Sequence, residues 1–529
     1  MEQGRLVQAL RNPALFGAGC TRVDVIETHI SYVLLTGAHA YKIKKAVNLG
    51  FLDFTTLAAR RFFAERELAL NRRLAPDIYL DVLPITGDPD RPMIGGAGAP
   101  LEYALKMREF PQDALLSKVL ARGELKRAHV DALAATIAAF HSDVERAGRG
   151  SPFGTPADNR ELAVQNFTQS LALVADAPDR GGLERLRRWT NEEYVSRASL
   201  MASRHDQGFV RECHGDLHLG NIALIDDRPV VFDCIEFNDH MRWIDVMNDV
   251  AFTVMDLEDR QRPDFAARFL NGYLERTGDF GGLGTLRFYV VYRAMVRAKI
   301  ALFRAQEDSA GSHNRAGTHA EREFHEYLAL ATKSTRPAAT GLIIMHGLSG
   351  SGKTTVSQEM LERMDGIRIR TDIERKRLHG LAPGARSTSG INAGVYSPAA
   401  TARTYERVQR LAEGVVDAGY VPIVDGAFLE RRQRDRLRRA ADQLHVPFVI
   451  VSCEAPADLL RQRVSARSLS GVDASEADAS VLEYQLAGGQ PLELDERPFA
   501  VTIDASSPLE AQVSRLHSEV SKKLQAGAS

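Results

Sequence analysis

At 529 residues the chain has room for about two to four domains. Its 44% hydrophobic and 26% charged content is that of an ordinary globular protein, and a net charge of −2 leaves no global electrostatic drive toward nucleic acid or a membrane. Four scattered cysteines (Cys20, Cys213, Cys234 and Cys453) form no CxxC pair and imply reduced thiols rather than structural zinc; with no signal-like start and no membrane-length apolar run, the expected location is the cytoplasm.

The first predicted elements are strands over residues 23–28 and 31–35, then a Thr36-Gly37 turn into a strand over 40–44. Alternation places Lys42 and Lys44 on one face of that strand. Residues 60–74 have helical spacing and carry Glu67. A strand lysine followed by a helical glutamate is the ion pair with which kinase-type folds grip nucleotide α- and β-phosphates. Residue spacing leaves Lys44 open beside Lys42, and Glu65 beside Glu67. A strand and extended linker over 102–111 and a helix over 126–141 come next; His141, at the end of that helix, reads as a packed core histidine.

The segment His214-Gly215-Asp216-Leu217-His218-Leu219-Gly220-Asn221 places an asparagine five residues after an aspartate, and the apolar run 229–232 then ends at Asp233. This is the layout of a kinase catalytic loop: Asp216 accepts the proton of an acceptor hydroxyl, while Asn221 and Asp233 hold a metal. Arg242, Asp245 and Asp249 follow at spacings of three and four, as a salt-bridge set on one helical face.

After a short polar, proline-bearing linker at 334–340, an apolar strand over 342–345 enters Gly347-Leu348-Ser349-Gly350-Ser351-Gly352-Lys353-Thr354. The pattern is G-x-x-x-x-G-K-[ST], and Thr355 opens a helix behind it. Backbone N–H groups of Gly347, Ser349, Gly350, Ser351, Gly352, Thr354 and Thr355 form the expected phosphate cradle. Lys353 reaches the β- and γ-phosphates, and the Thr354 hydroxyl is offered to Mg²⁺. The domains are therefore expected at 1–335 and 336–529. Beyond the loop, a strand over 366–370 runs into Asp372, which can also serve as a helix N-cap. Another strand ends at Asp425, a Walker-B-type Mg²⁺ partner. The arginine-rich stretch 430–436 reads as a solvated helix face without the aromatic interleaving of a nucleic-acid site.

On these motifs the first domain resembles the aminoglycoside phosphotransferase family, a branch of the protein-kinase-like fold: His214, Asp216, Asn221, Asp233 and Lys42 fall on its pattern. It departs from protein kinases in lacking a glycine-rich loop, and in having Gly215 where they carry an arginine that senses activation-loop phosphorylation. The second domain resembles P-loop small-molecule kinases. That likeness implies Asp372 as the base, Arg375 as a substrate contact, and Arg461, Arg463 and Arg467 as arginines of a lid ahead of the acidic stretch 473–478. The whole order of parts resembles bacterial two-domain proteins described as bifunctional aminoglycoside phosphotransferase/ATP-binding proteins. The resemblance implies a two-lobed α+β kinase-like domain followed by an α/β P-loop domain with a parallel sheet. It also implies ATP and Mg²⁺ as cofactors, small-molecule hydroxyl compounds as acceptors, and neither nucleic acid nor membrane as partner. Two further readings stay open: a regulatory protein in which one nucleotide site gates the other, and a polynucleotide 5′-hydroxyl kinase.

Overall fold

A computed structural model describes residues 2–50, 52–311, 319–336, 340–387, 389–390, 392–470 and 478–526, with the side chains of 2, 307–311 and 467–470 left out. The chain divides into two compact units, Met1–Leu162 with Met201–Asp256, and Ala163–Leu200 with Leu257–Ser529.

In the first unit, helix α1 (Glu2–Ala9) precedes β1 (Asp24–Glu27), β2 (Ser31–Leu35) and β3 (His39–Lys44). Helix α2 (Leu57–Asn71) follows, its N-terminus capped by the Thr56 hydroxyl, which accepts from the N–H of Ala59. With β4 (Tyr79–Asp88), β5 (Arg91–Ile94) and β6 (Glu102–Arg108), the strands form a six-stranded antiparallel sheet in the order β1-β2-β3-β6-β4-β5. Lys42 thus lies on a central strand, paired with Val33 on one side and Leu105 on the other.

Helices α3 (Leu116–Ala121) and α4 (Arg127–Asp143) come next; α5 (Pro156–Leu173) and α6 (Ala177–Asp206) follow, their residues 163–200 belonging to the second unit. Strand β7 (Val210–Glu212) leads into the His214–Asn221 loop, and the hairpin β8 (Ile222–Ile225) and β9 (Arg228–Val231) leads out of it. Asp226 and Asp227, both in the left-handed region, make that two-residue turn. The helix expected to carry Arg242, Asp245 and Asp249 is broken. Arg242 ends the short α7 (Asp239–Arg242), Asp245 ends β10 (Trp243–Asp245), and Asp249 lies in α8 (Val246–Asp259). Pairing of β10 with β7 draws this segment out straight, so the three side chains serve different partners. Arg242 bonds Glu212 and the Ile235 carbonyl, Asp245 pairs with Arg204, and Asp249 turns to the His214 loop.

The second unit contains α9 (Pro263–Thr277), α10 (Leu283–Gly311) and α11 (His319–Ser334). A parallel five-stranded sheet follows, in the order β12-β13-β11-β14-β15, from β11 (Leu342–His346), β12 (Gly366–Arg370), β13 (Val421–Asp425), β14 (Phe448–Glu454) and β15 (Ala500–Asp504). Its apolar strands are near-continuous runs, as burial on both faces requires. Helices α12 (Lys353–Met364), α13 (Thr371–Leu378), α14 (Pro398–Asp417), α15 (Arg431–Leu444), α16 (Ala457–Ser470), α17 (Ala479–Gly488) and α18 (Leu509–Ala526) complete it. Ile343, Met345, Val356, Met360, Val451 and Leu516 share one core, which Ala267 of α9 joins.

Strand β12 is an edge strand, and α9 closes it. The Asn271 carboxamide accepts from the N–H of Arg368 at 2.7 Å and donates to the carbonyl of Gly366 at 2.9 Å, as a neighbouring strand would. Glu275, one turn on, takes the Arg368 guanidinium at 2.9 Å. Among the described residues no helix is long and apolar enough to cross a membrane.

Candidate active sites

In the first unit the sequence-predicted residues converge. Nζ of Lys42 lies 2.7 Å from Oε1 of Glu67 and 2.8 Å from Oδ1 of Asp233. Lys44, on the same face of β3, lies 2.7 Å from Oε2 of Glu67 and also pairs with Glu236. Both lysines therefore meet Glu67, while Glu65 points away to an exposed pair with Arg61. Burial alone would push the Glu67 carboxyl up; Lys42 and then Lys44 hold it down at about 2. Burial likewise opposes charge on Lys42, yet Asp233 and Glu67 keep its ammonium well above the usual lysine range.

The His214 loop is hung from α8. Backbone N–H groups of His214 and Gly215 both donate to the Asp249 carboxylate at 2.9 Å, and the Leu219 N–H donates to Asp256 at 2.8 Å. Gly215 is required here: its φ is +86°, and a Cβ would come within 2.6 Å of the Met241 carbonyl oxygen. His141 is packed in the core, its Nε2 at 3.3 Å from Asp249. His141, Cys213 and Asp249 group ligand-type atoms within 4.8 Å of one another, but Asp249 is committed to the loop, and burial holds the Cys213 thiol well above its ordinary range.

Nδ2 of Asn221 donates to Oδ2 of Asp216 at 2.8 Å, which turns the amide oxygen of Asn221 the other way. Asp233 has φ +63°, with its N–H donating to the Tyr79 hydroxyl at 3.1 Å; its carboxylate is 42% exposed. An amide oxygen and an accessible carboxylate are hard oxygen donors of the kind Mg²⁺ takes, so the residues fit that ion.

In the second unit the phosphate loop joins β11 to α12. Gly347 adopts φ +142°, and a Cβ there would come within 2.5 Å of the Cys453 carbonyl oxygen. A cleft of about 1120 Å³ opens in front of the loop and is lined by Ser349 through Thr355. The Lys353 ammonium donates to the Leu348 carbonyl at 2.7 Å, and Oγ of Ser351, fully buried, has no protein partner. The expected cradle is only partly open: the N–H groups of Gly347, Ser349 and Ser351 donate to the Ala427 carbonyl, the Gln485 side chain and the Leu348 carbonyl, because the loop is closed on its neighbours. The orphaned Ser351 hydroxyl beside Lys353 suits a phosphate.

Asp372, Arg375, Asp425 and Arg463 line the same cleft. Helix α13 begins at Thr371 with Arg370 as its N-cap, so Asp372 is in the first turn and does not serve as the cap. Arg375 is buried, donates to the Val395 carbonyl and the Thr401 hydroxyl at 3.1 Å, and stacks on Tyr396. Asp425 ends β13 and accepts from the Ser357 hydroxyl at 3.3 Å. Arg463 donates to the Ala505 carbonyl at 2.8 Å. The side chain of Arg467 and residues 471–477 lie outside the described residues. The arginine-rich stretch is only partly a solvated face: Arg434 is buried, 2.6 Å from the buried Glu496.

Three contributors were not anticipated. Gln485 of α17 accepts from the N–H of Ser349 at 2.8 Å, residues 505–509 after β15 form a second wall of the cleft, and Arg370 stands 3.8 Å from Asp425. No sequence pattern marks them, because each acts through its place in the fold rather than through a motif.

Family models match two parts of the chain: the phosphotransferase enzyme family over residues 103–289 and an AAA domain over 342–492. A protein of Mycobacterium tuberculosis (strain H37Rv) and one of Mycobacterium bovis, both named as uncharacterized, are 32% identical over 88% of this chain and 90% of theirs. The chain belongs to this two-domain phosphotransferase and P-loop family. Among solved structures, a choline/ethanolamine kinase family protein from Mesorhizobium loti covers 64% of this chain and 99% of its own at 13% identity and a TM-score of 0.38. A gluconokinase from Sinorhizobium meliloti covers 36% and 96% at 20% identity and 0.27. The family carries a kinase-like domain followed by a P-loop kinase-type domain with a parallel sheet.

Proposed function

We propose that the chain is an ATP-dependent bifunctional phosphotransferase that moves γ-phosphate to hydroxyl groups of small molecules at two separate sites. What supports the reading is that each unit brings together a lysine, aspartates and further oxygen donors, Lys42 with Asp233, Asp216 and Asn221 in the first, and Lys353 with Thr354, Asp372 and Asp425 in the second.

In the first unit Lys42, anchored by Glu67, grips the phosphates, and Asn221 and Asp233 would hold Mg²⁺. Asp216, oriented by the Asn221 amide, takes the proton of the acceptor hydroxyl. In the second, the loop from Gly347 to Thr355 cradles the phosphates, Lys353 offsets their charge, and Thr354 and Asp425 hold the metal. Asp372 receives the acceptor proton, Arg375 contacts the acceptor, and Arg463, with Arg467, neutralises the transferred group. Mg²⁺ held there would supply positive charge to offset that of the phosphates. The dominant arginines of α15 are already matched: Arg431 by Glu493 and Asp495, Arg434 by Glu496. That pairing weighs against a nucleic-acid acceptor.

The test is transfer of radiolabelled γ-phosphate by the full chain to a small-metabolite extract, repeated with Asp216→Asn, Lys353→Ala and the double variant. Two product sets, each lost with one variant, are expected. Labelling unchanged in the double variant would overturn the reading.

A further inference from the structure

Lys42 and Lys44 do not compete for one role. Each bonds a different oxygen of Glu67, and each bonds a second carboxylate on the loop after β9, Asp233 for Lys42 and Glu236 for Lys44. Two lysines spaced by two on a strand and two carboxylates spaced by three on a loop thus close a ring through one helical glutamate. The ring ties β3, α2 and the Asp233 loop together.

Its two halves differ in access. On the outer side the Lys42 and Asp233 side chains are 14% and 42% exposed; on the inner side those of Lys44 and Glu236 are 3% and 5% exposed. Lys44 also lies 4.9 Å above the Phe54 ring. The inner pair is too enclosed to meet a nucleotide, so its purpose must be met inside the protein.

We propose that Lys44 and Glu236 are positioning residues for the nucleotide site, holding Glu67 and the Asp233 loop in place while Lys42 exchanges Asp233 for phosphate oxygens. The inference rests on the reading above that Lys42 and Asp233 serve Mg²⁺-bound ATP. Its physical basis is that an ammonium has three N–H donors: with one on Glu67 and one on Asp233, Lys42 must give up Asp233 to reach both the α- and β-phosphates. Once Lys42 turns that donor to phosphate, the loop needs another tether to β3. The bond from Lys44 to Glu236 supplies that tether, and its bond to Glu67 keeps α2 fixed throughout. A site preorganised in this way needs no ordering step to become competent, in keeping with Gly215 in place of an activation-sensing arginine.

The experiment uses the full chain carrying Lys353→Ala, so that nucleotide binding reports the first unit, with Mg²⁺ and a non-hydrolysable ATP analogue titrated calorimetrically. Lys44→Met and the pair Lys44→Met/Glu236→Gln should each weaken binding by about tenfold or more, and Lys44→Arg should recover most of it. The paired variant guards against unfolding, because replacing a buried ion pair with neutral side chains is often tolerated where removing one partner is not. A paired variant that folds and binds as tightly as its parent overturns the proposal, as does one that fails to fold, since the pair would then be a stability device. Lys42→Ala and Asp233→Asn in the same background are the check on the underlying reading: unchanged affinity in both would remove the site itself, and this inference with it.

Discussion

Lys353 sets the simplest electrostatic problem in the molecule. Its ammonium rests on the Leu348 carbonyl at the mouth of the phosphate cradle. Lys353→Ala should lower turnover at the P-loop site by about a hundredfold or more, measured as labelled phosphate transferred, because the charge offset in the transition state is lost. In the other unit two aspartates should separate by role. Asp216→Asn keeps the shape and should leave nucleotide affinity near wild type while transfer is lost; Asp233→Asn removes the proposed metal ligand and should weaken Mg²⁺-dependent binding. Calorimetry beside a transfer assay distinguishes them, and equal loss of binding in both would contradict the assignment. The sequence made these residues legible because each belongs to a short motif. It left Lys42 and Lys44 unresolved because strand alternation puts both on one face, and only Glu67, Asp233 and Glu236 give each its role. The burial of Arg434 is hidden in the sequence for a related reason: its partner, Glu496, is 62 residues away in the chain.

Among the elements, α9 shows how little a motif says about what surrounds it. Its hydrogen bonds to β12 join residues 95 and 97 apart in sequence, beyond the reach of any periodicity. Asn271→Leu would strand the N–H of Arg368 and the carbonyl of Gly366, and should lower stability by about 3 kcal/mol in chemical denaturation. At the end of α8, burial and then the nearby Asp365 raise the Glu258 carboxyl to about 7, with Lys333 opposing. The folded state thus holds this proton more tightly than the unfolded one. The resulting stabilisation is full below the ordinary value of 4.5 and is lost as pH rises through about 7. Glu258→Gln should therefore raise the Tm at pH 8 and change it little near pH 4.5; equal shifts at both would refute the assignment.

For the molecule as a whole, the proposed function implies two reactions that run without each other. Lys353→Ala should leave transfer by the first unit unchanged; a fivefold slowing would instead reveal a coupling of about 1 kcal/mol and favour a gating role. The order of folds could be read from the sequence, since the phosphate loop and the His214 loop each sit in their expected strand and helix context. The extent of the compact units could not. Helix α9 falls within the phosphotransferase match at 103–289, yet its contacts bind it to the parallel sheet. A fragment comprising 336–529 alone would begin after that helix and leave β12 bare. It should aggregate where a fragment beginning at 257 stays monomeric, as light scattering would show.

The clasp formed by Asn271 also has a direction in time. The ribosome releases α9 long before β12, so the strand that would otherwise offer an unpaired edge to neighbouring nascent chains emerges after its cover. Placing the covering helix upstream of the sheet protects the P-loop fold during its own synthesis, and a gene rearrangement that reversed the two segments would forfeit that protection even if every native contact could still form.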